Sequence, residues 1–110
     1  MAYRLQFDRR FLRLLEALPG DVRGVARQSI KDLAIEPRPT RAKELEDHPG
    51  YWRMWLPRDH RIVWHVTDEE QIIDLLYVGP RSSELYEQLG LGRRLREAEQ
   101  VSEYQLEFDH

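Results

Sequence analysis

Tyr51-Trp52-Arg53-Met54-Trp55-Leu56, Pro57-Arg58-Asp59, His60-Arg61-Ile62-Val63-Trp64-His65-Val66-Thr67, Asp68-Glu69-Glu70 and Gln71-Ile72-Ile73-Asp74-Leu75-Leu76-Tyr77-Val78 follow one another without a gap. The three long segments are rich in aromatic and β-branched residues, which favour strands. The two short ones are turn-forming, so the whole reads as an antiparallel meander over residues 51–78. Gly79-Pro80 ends the third strand. Along the second strand, Ile62, Trp64 and Val66 share one face and read as core. Arg61, Val63 and His65 share the other, which places Arg61 and His65 on an open, concave side.

Upstream of the meander the pattern changes. Tyr3-Arg4-Leu5-Gln6-Phe7 alternates like a strand, and Asp8 stands where an N-cap belongs. Phe11, Leu12, Leu14, Leu15 and Leu18 recur at helical spacing until Pro19-Gly20. Asp21 is placed to cap a second helix with the stripe Val22, Val25, Ala26, Ser29, Ile30 and Leu33. Pro37 and Pro39 end it, and the short connection makes the two helices an antiparallel hairpin. Residues 36–50 read as loop, with a short element at Lys43-Glu44-Leu45. Downstream, Ser82 or Ser83 is placed to cap a last helix through Leu85 and Leu89. The expected fold is α+β: an N-terminal strand and a helical hairpin packed on a small antiparallel sheet, in the order β-α-α-β-β-β-α.

The 110 residues suit one domain, and the absence of cysteine excludes a disulfide framework, a thiolate metal site and a cysteine nucleophile. Apolar runs fall short of a membrane span, and Met1-Ala2-Tyr3-Arg4 does not open a signal peptide, so a cytoplasmic location is expected. The net charge of −3 conceals a split: residues 1–66 hold 13 Lys/Arg against 9 Asp/Glu, and residues 67–110 hold 4 against 11. Of the 17 basic residues only Lys31 and Lys43 are lysine. Arginine's planar fork suits phosphate and stacks on bases, while the overall acidity confines any nucleic-acid contact to a local patch.

Several short motifs stand in a telling order: Leu18-Pro19 with Val22-Arg23, Lys43-Glu44-Leu45, Tyr51-Trp52-Arg53-Met54 through Asp59-His60-Arg61-Ile62-Val63-Trp64, and Val78-Gly79-Pro80-Arg81 followed by Leu85-Tyr86. Together they resemble the RelE/ParE toxin superfamily of toxin–antitoxin modules over about residues 3–89, with the RelE-like branch favoured by the Arg81…Tyr86 pair. The resemblance implies a RelE-like, microbial ribonuclease-type fold, with a toxin domain over 1–89 and a charged extension over 90–110. It implies a toxin that cleaves messenger RNA, associated with the ribosome, and an antitoxin partner. The other reading is a non-catalytic binding module, either a ParE-like DNA gyrase inhibitor or a toxin that only binds its antitoxin. Neither a membrane partner nor a metal or cofactor is expected, and the oligomeric state is left open.

In the nuclease reading, the substrate's own 2′-OH attacks the adjacent phosphate and expels the 5′-oxygen. The reaction needs a base, cations for the phosphorane and an acid. By resemblance Arg61 and Arg81 supply the charge, Tyr86 orients the phosphate or stacks on a base, and Arg53 assists. Trp55, Arg58, His60, His65 and Lys43 are the further expected RNA contacts. Each has a plain alternative: a surface ion pair for Arg61, a helix-flanking charge for Arg81, helix core for Tyr86, a half-exposed strand position for the histidines. The chain departs from the family where Trp55 stands for a basic residue and His60 for a tyrosine. With arginine too basic to accept a proton, His60, His65 or His48 remains the candidate base. Trp64 reads as core, whereas Trp55 is a base-stacking platform, a partner anchor or packing. In the tail, Tyr104-Gln105-Leu106-Glu107-Phe108 echoes Tyr3-Arg4-Leu5-Gln6-Phe7 and is expected to pair with a sheet edge, or else to be a solvated end.

Overall fold

The computed structural model describes residues 2–81. Its elements run β1 (Arg4–Gln6), α1 (Arg9–Glu16), α2 (Gly20–Leu33), β2 (Lys43–Glu44), β3 (Tyr51–Leu56), β4 (His60–Thr67) and β5 (Ile72–Pro80). The expected last helix, Tyr86, the boundary at residue 89 and the Tyr104–Phe108 segment lie outside the described residues.

Asp8 caps α1 as its chemistry dictates: its carboxylate accepts the Phe11 amide at 3.0 Å, satisfying one of the orphan donors of the first turn. Phe11 and Leu15, one turn apart, are the buried pair of α1. The second helix begins two residues earlier than it would with Asp21 as its cap. Pro19 takes the N-cap position, and Asp21 falls in the first turn, where its charge faces the positive end of the helix dipole. Arg23 reaches back to donate to the Glu16 carbonyl at 3.0 Å, so α2 satisfies an acceptor left at the end of α1. The apolar stripe of α2 is narrower than its sequence reads. Val22, Ala26, Ser29, Ile30 and Leu33 are buried, but Val25 is 41% exposed. It sits at the rim of the stripe, and a helix resting on one sheet has no second layer to cover that rim.

One sheet holds all five strands in the order β1-β5-β4-β3-β2. The β2–β3, β3–β4 and β4–β5 pairs are antiparallel, whereas β1 runs parallel to β5 with Leu5 opposite Ile73. The sheet is therefore mixed, not wholly antiparallel: the chain leaves β1 through both helices before it returns, the crossover that a parallel neighbour requires. The main core lies between helices and sheet, with Phe7, Phe11, Val22, Ile30, Leu33, Ile62, Trp64 and Ile73 almost fully buried. Trp64 is part of it, and its indole N–H donates to the Pro37 carbonyl at 3.0 Å, pinning the loop after α2 to the sheet. A smaller cluster on the other face joins Leu45, Tyr51, Val63, Leu76 and Tyr77.

One irregularity decides what that second face carries. Between β4 and β5 the register slips at Val63/Trp64: Val63 faces Tyr77, but Trp64 faces Leu75. Leu76 is the extra residue, a β-bulge. Before it, Ile73 and Leu75 point to the helix core; after it, Val78 does. The bulge therefore moves Tyr77 and Gly79 to the second face, opposite Val63 and Arg61. With an unbroken strand their odd numbers would place them under the helices.

Candidate functional site

The second face gathers cations by register. Lys43 stands opposite Arg53, Trp55 opposite Arg61, and Arg61 opposite Gly79. Residues directly opposed in antiparallel strands share a face, so Lys43, Arg53, Trp55, Arg61 and Gly79 line the same side. Like charges opposed across two strands are unfavourable unless an anion lies near, and Lys43 and Arg53 are such a pair.

The centre is Trp55. The Arg61 guanidinium lies 4.5 Å from the centroid of its ring and that of Arg81 lies 5.9 Å from it. Both are within the range of a cation–π contact. Arg61 is held tightly, being 8% exposed, while Trp55 remains 41% exposed. Arg81 follows the end of β5, and its amide donates to the Asp59 carbonyl at 3.1 Å. That bond extends the ladder by one residue and fixes where the Arg81 side chain departs. Two arginines 20 residues apart in sequence thus converge on one indole, which leaves an aromatic surface open beside two positive charges, Arg61 buried and Arg81 exposed.

Two other side chains complete the neighbourhood. Tyr77, 6% exposed, donates its hydroxyl to the Pro80 carbonyl at 2.6 Å. Burial pushes its phenol above the ordinary value of 10.0, opposed by the positive charges of Arg10 and Arg61. Arg10 thereby enters from α1. The sequence reading assigned neither residue to the site: it placed Tyr77 in the third strand, within an apolar run whose parity the bulge conceals.

The remaining expected contacts are drawn elsewhere. Arg58 and Asp59 have φ of 61° and 60°, the left-handed pair of a type I′ turn. That turn carries the Arg58 guanidinium to Asp21 in α2 at 2.9 Å, where it holds the Asp21 carboxyl below its usual range. His60 pairs with Leu56 and Pro80, on the pleat alternate to Arg61, and its Nδ1 lies 2.9 Å from the Arg58 carbonyl. His65 shares the face of Arg61 but is 6% exposed, with Tyr51 4.6 Å from its ring, Thr67 Oγ1 3.4 Å from Nδ1 and Asp74 3.9 Å away. It is packed into the sheet at the far end of the strand. His48 stands edge-on to Tyr51 at 6.2 Å.

Comparison with known proteins bears on the fold. No protein-family model and no curated protein sequence matches the chain. Solved structures do. A double arginine-to-alanine mutant of the E. coli toxin RelE in the free state is 28% identical, with a TM-score of 0.69 over 82% of this chain and 96% of that one. The same toxin in complex with an antitoxin RelBc peptide is 26% identical, with a TM-score of 0.65 over 86% of this chain and 100% of that one. The archaeal RelE–RelB complex from Pyrococcus horikoshii, at 22% identity and a TM-score of 0.61 over 76% and 99%, shares the fold. The helical pair, the five-strand sheet with its parallel first strand, and these neighbours agree: the chain has the fold of the RelE-like toxin superfamily and is similar in sequence to RelE toxins.

Proposed function

We propose that this chain is the toxin of a toxin–antitoxin module and that it acts as a metal-independent endoribonuclease on messenger RNA at the ribosome. The toxin assignment and an antitoxin partner are supported by neighbours that are RelE toxins, several of them in complex with RelB. The nuclease reading rests on one observation: Arg61 and Arg81 meet at the exposed Trp55.

The chemistry follows from that placement. A single-stranded RNA lays one base on Trp55, which accepts any base by its π-face. The adjoining phosphate falls to the two guanidinium groups, whose forks match its non-bridging oxygens. The substrate's 2′-hydroxyl gives its proton to water as its oxygen attacks phosphorus, the bond to the 5′-oxygen breaks, and that oxygen takes a proton from water. Negative charge grows on the phosphorane in the field of two cations, of which Arg61 is already held in place by burial. Arg53 and Lys43 carry the strand onward along the same face. The products are a 2′,3′-cyclic phosphate and a 5′-hydroxyl.

A second reading has its own observation. His60 bonds its turn and His65 is packed between Tyr51 and Asp74, so neither imidazole is presented beside Arg61 as a base. This favours a non-catalytic module that binds an antitoxin or DNA gyrase through the same cationic face. Expression of the full chain without an antitoxin separates the two. Growth arrest with cut messages, relieved in Arg81→Ala that still folds, supports the nuclease. Growth arrest with altered plasmid supercoiling and intact messages supports the second reading.

A further inference from the structure

The end of β5 is built in a way that the roles given so far do not require. Tyr77 and Pro80 are three residues apart on one strand, yet the Tyr77 hydroxyl reaches the Pro80 carbonyl at 2.6 Å. To do so the ring lies along the strand over Gly79. A Cβ placed on Gly79 would stand 2.8 Å from the Tyr77 oxygen and 3.1 Å from the carbon that bears it. No side chain fits there while the phenol stays. The phenol therefore fills the place of the missing side chain at 79, directly across from Arg61. Arg61 is flanked by Trp55 on the β3 side and by the Tyr77 ring over Gly79 on the β5 side. Arg81 departs immediately after the carbonyl that Tyr77 holds.

We propose that Tyr77, Gly79 and Pro80 form a side-chain clasp that sets the direction of Arg81, making Tyr77 a positioning residue for the anion site. The inference rests on the reading of Arg61 and Arg81 as phosphate ligands. The Arg81 amide points to β4, so the Pro80 nitrogen points away from it and the proline costs no ladder bond there. The Pro80 carbonyl accepts from the phenol, and the Arg81 amide donates to Asp59. Both polar groups of the Pro80–Arg81 peptide, from which the Arg81 side chain departs, are therefore held. The clasp also requires glycine at 79 for space, not for backbone conformation. Tyr77 does not touch the substrate in this account; it acts through Arg81.

The test is a double-mutant cycle on the full chain with Tyr77→Phe, Arg81→Ala and the pair. Two readouts are taken: the contribution of Trp55 to intrinsic fluorescence, referenced to Trp55→Phe, and the affinity for a single-stranded RNA oligonucleotide blocked by 2′-deoxy substitution. Tyr77→Phe is expected to move the Trp55 signal in the same direction as Arg81→Ala. It should weaken oligonucleotide binding about three- to tenfold, the worth of one hydrogen bond. In the Arg81→Ala background Tyr77→Phe should add nothing. Gly79→Ala, which keeps the phenol but displaces it, should reproduce Tyr77→Phe and serves if that variant folds poorly. Additive effects in the cycle, or a lowered melting temperature with unchanged Trp55 signal and affinity, would overturn the clasp. If the parent chain binds no RNA, the nuclease reading fails by itself, and the fluorescence cycle still decides whether Tyr77 acts on Arg81.

Discussion

A guanidinium 4.5 Å from an indole and 8% exposed keeps its charge but loses most of its freedom. Arg61 is in that condition, and it makes lysine a poor substitute. Arg61→Lys should retain the fold and lower RNA cleavage about tenfold or more, because an ammonium has neither the planar face nor the fork. Cleavage of a labelled messenger RNA bound to ribosomes measures it. Trp55→Ala should weaken RNA binding by about 1–3 kcal/mol, the usual worth of a stacked base, with little change in salt dependence. A titration at two salt concentrations checks both parts. The sequence alone already disclosed the face of Arg61, because Ile62, Trp64 and Val66 alternate with it. Arg81 was reached through resemblance to a family and not through periodicity. Arg58 and His60 are engaged away from Arg61 for a physical reason that the sequence does not display: the left-handed turn at Arg58 and Asp59 swings Arg58 to Asp21 and occupies the His60 ring with backbone carbonyls.

Among the elements, β5 matters most to the site. Its run Ile72-Ile73-Asp74-Leu75-Leu76-Tyr77-Val78 is apolar on both parities except at Asp74, so no alternation reveals the bulge at Leu76. The strands and helices themselves were legible, and β3 and β4 begin and end where their sequences turn. What stayed hidden was which side of the sheet the last third of β5 presents, a property of register and not of composition. The loop before β3 makes its own demand. Gly50 has φ of +89°, and a Cβ there would lie 3.0 Å from His65 Nε2. Gly50→Ala should therefore cost about 1–3 kcal/mol in urea unfolding, through backbone strain and displacement of a buried ring. Asp8→Ala removes the α1 cap and should cost about 1 kcal/mol in the same assay.

Across the whole molecule, an exposed junction ties distant parts together. Asp68, in the β4–β5 turn, accepts from Arg38 at 2.8 Å and from the Tyr3 hydroxyl at 2.7 Å. These bonds hold its carboxyl below the ordinary value of 3.8. A carboxyl lowered in the folded state binds fewer protons there than in the unfolded chain. Its stabilisation is present above the unfolded value and is lost as pH falls through the folded one. Asp68→Asn should flatten the acid limb of the melting temperature below about pH 4, and added salt should shrink the difference, since the group is exposed. At the same scale lies the central claim, that the fold brings Arg61 and Arg81 together to serve one phosphate. The most direct test is the chemistry of the RNA ends left by the purified full chain on ribosome-bound messenger RNA. The account predicts 2′,3′-cyclic phosphate and 5′-hydroxyl termini, with cleavage lost in folded Arg61→Ala and Arg81→Ala. Intact RNA with the parent chain, 3′-hydroxyl termini, or undiminished cleavage by either variant would contradict it.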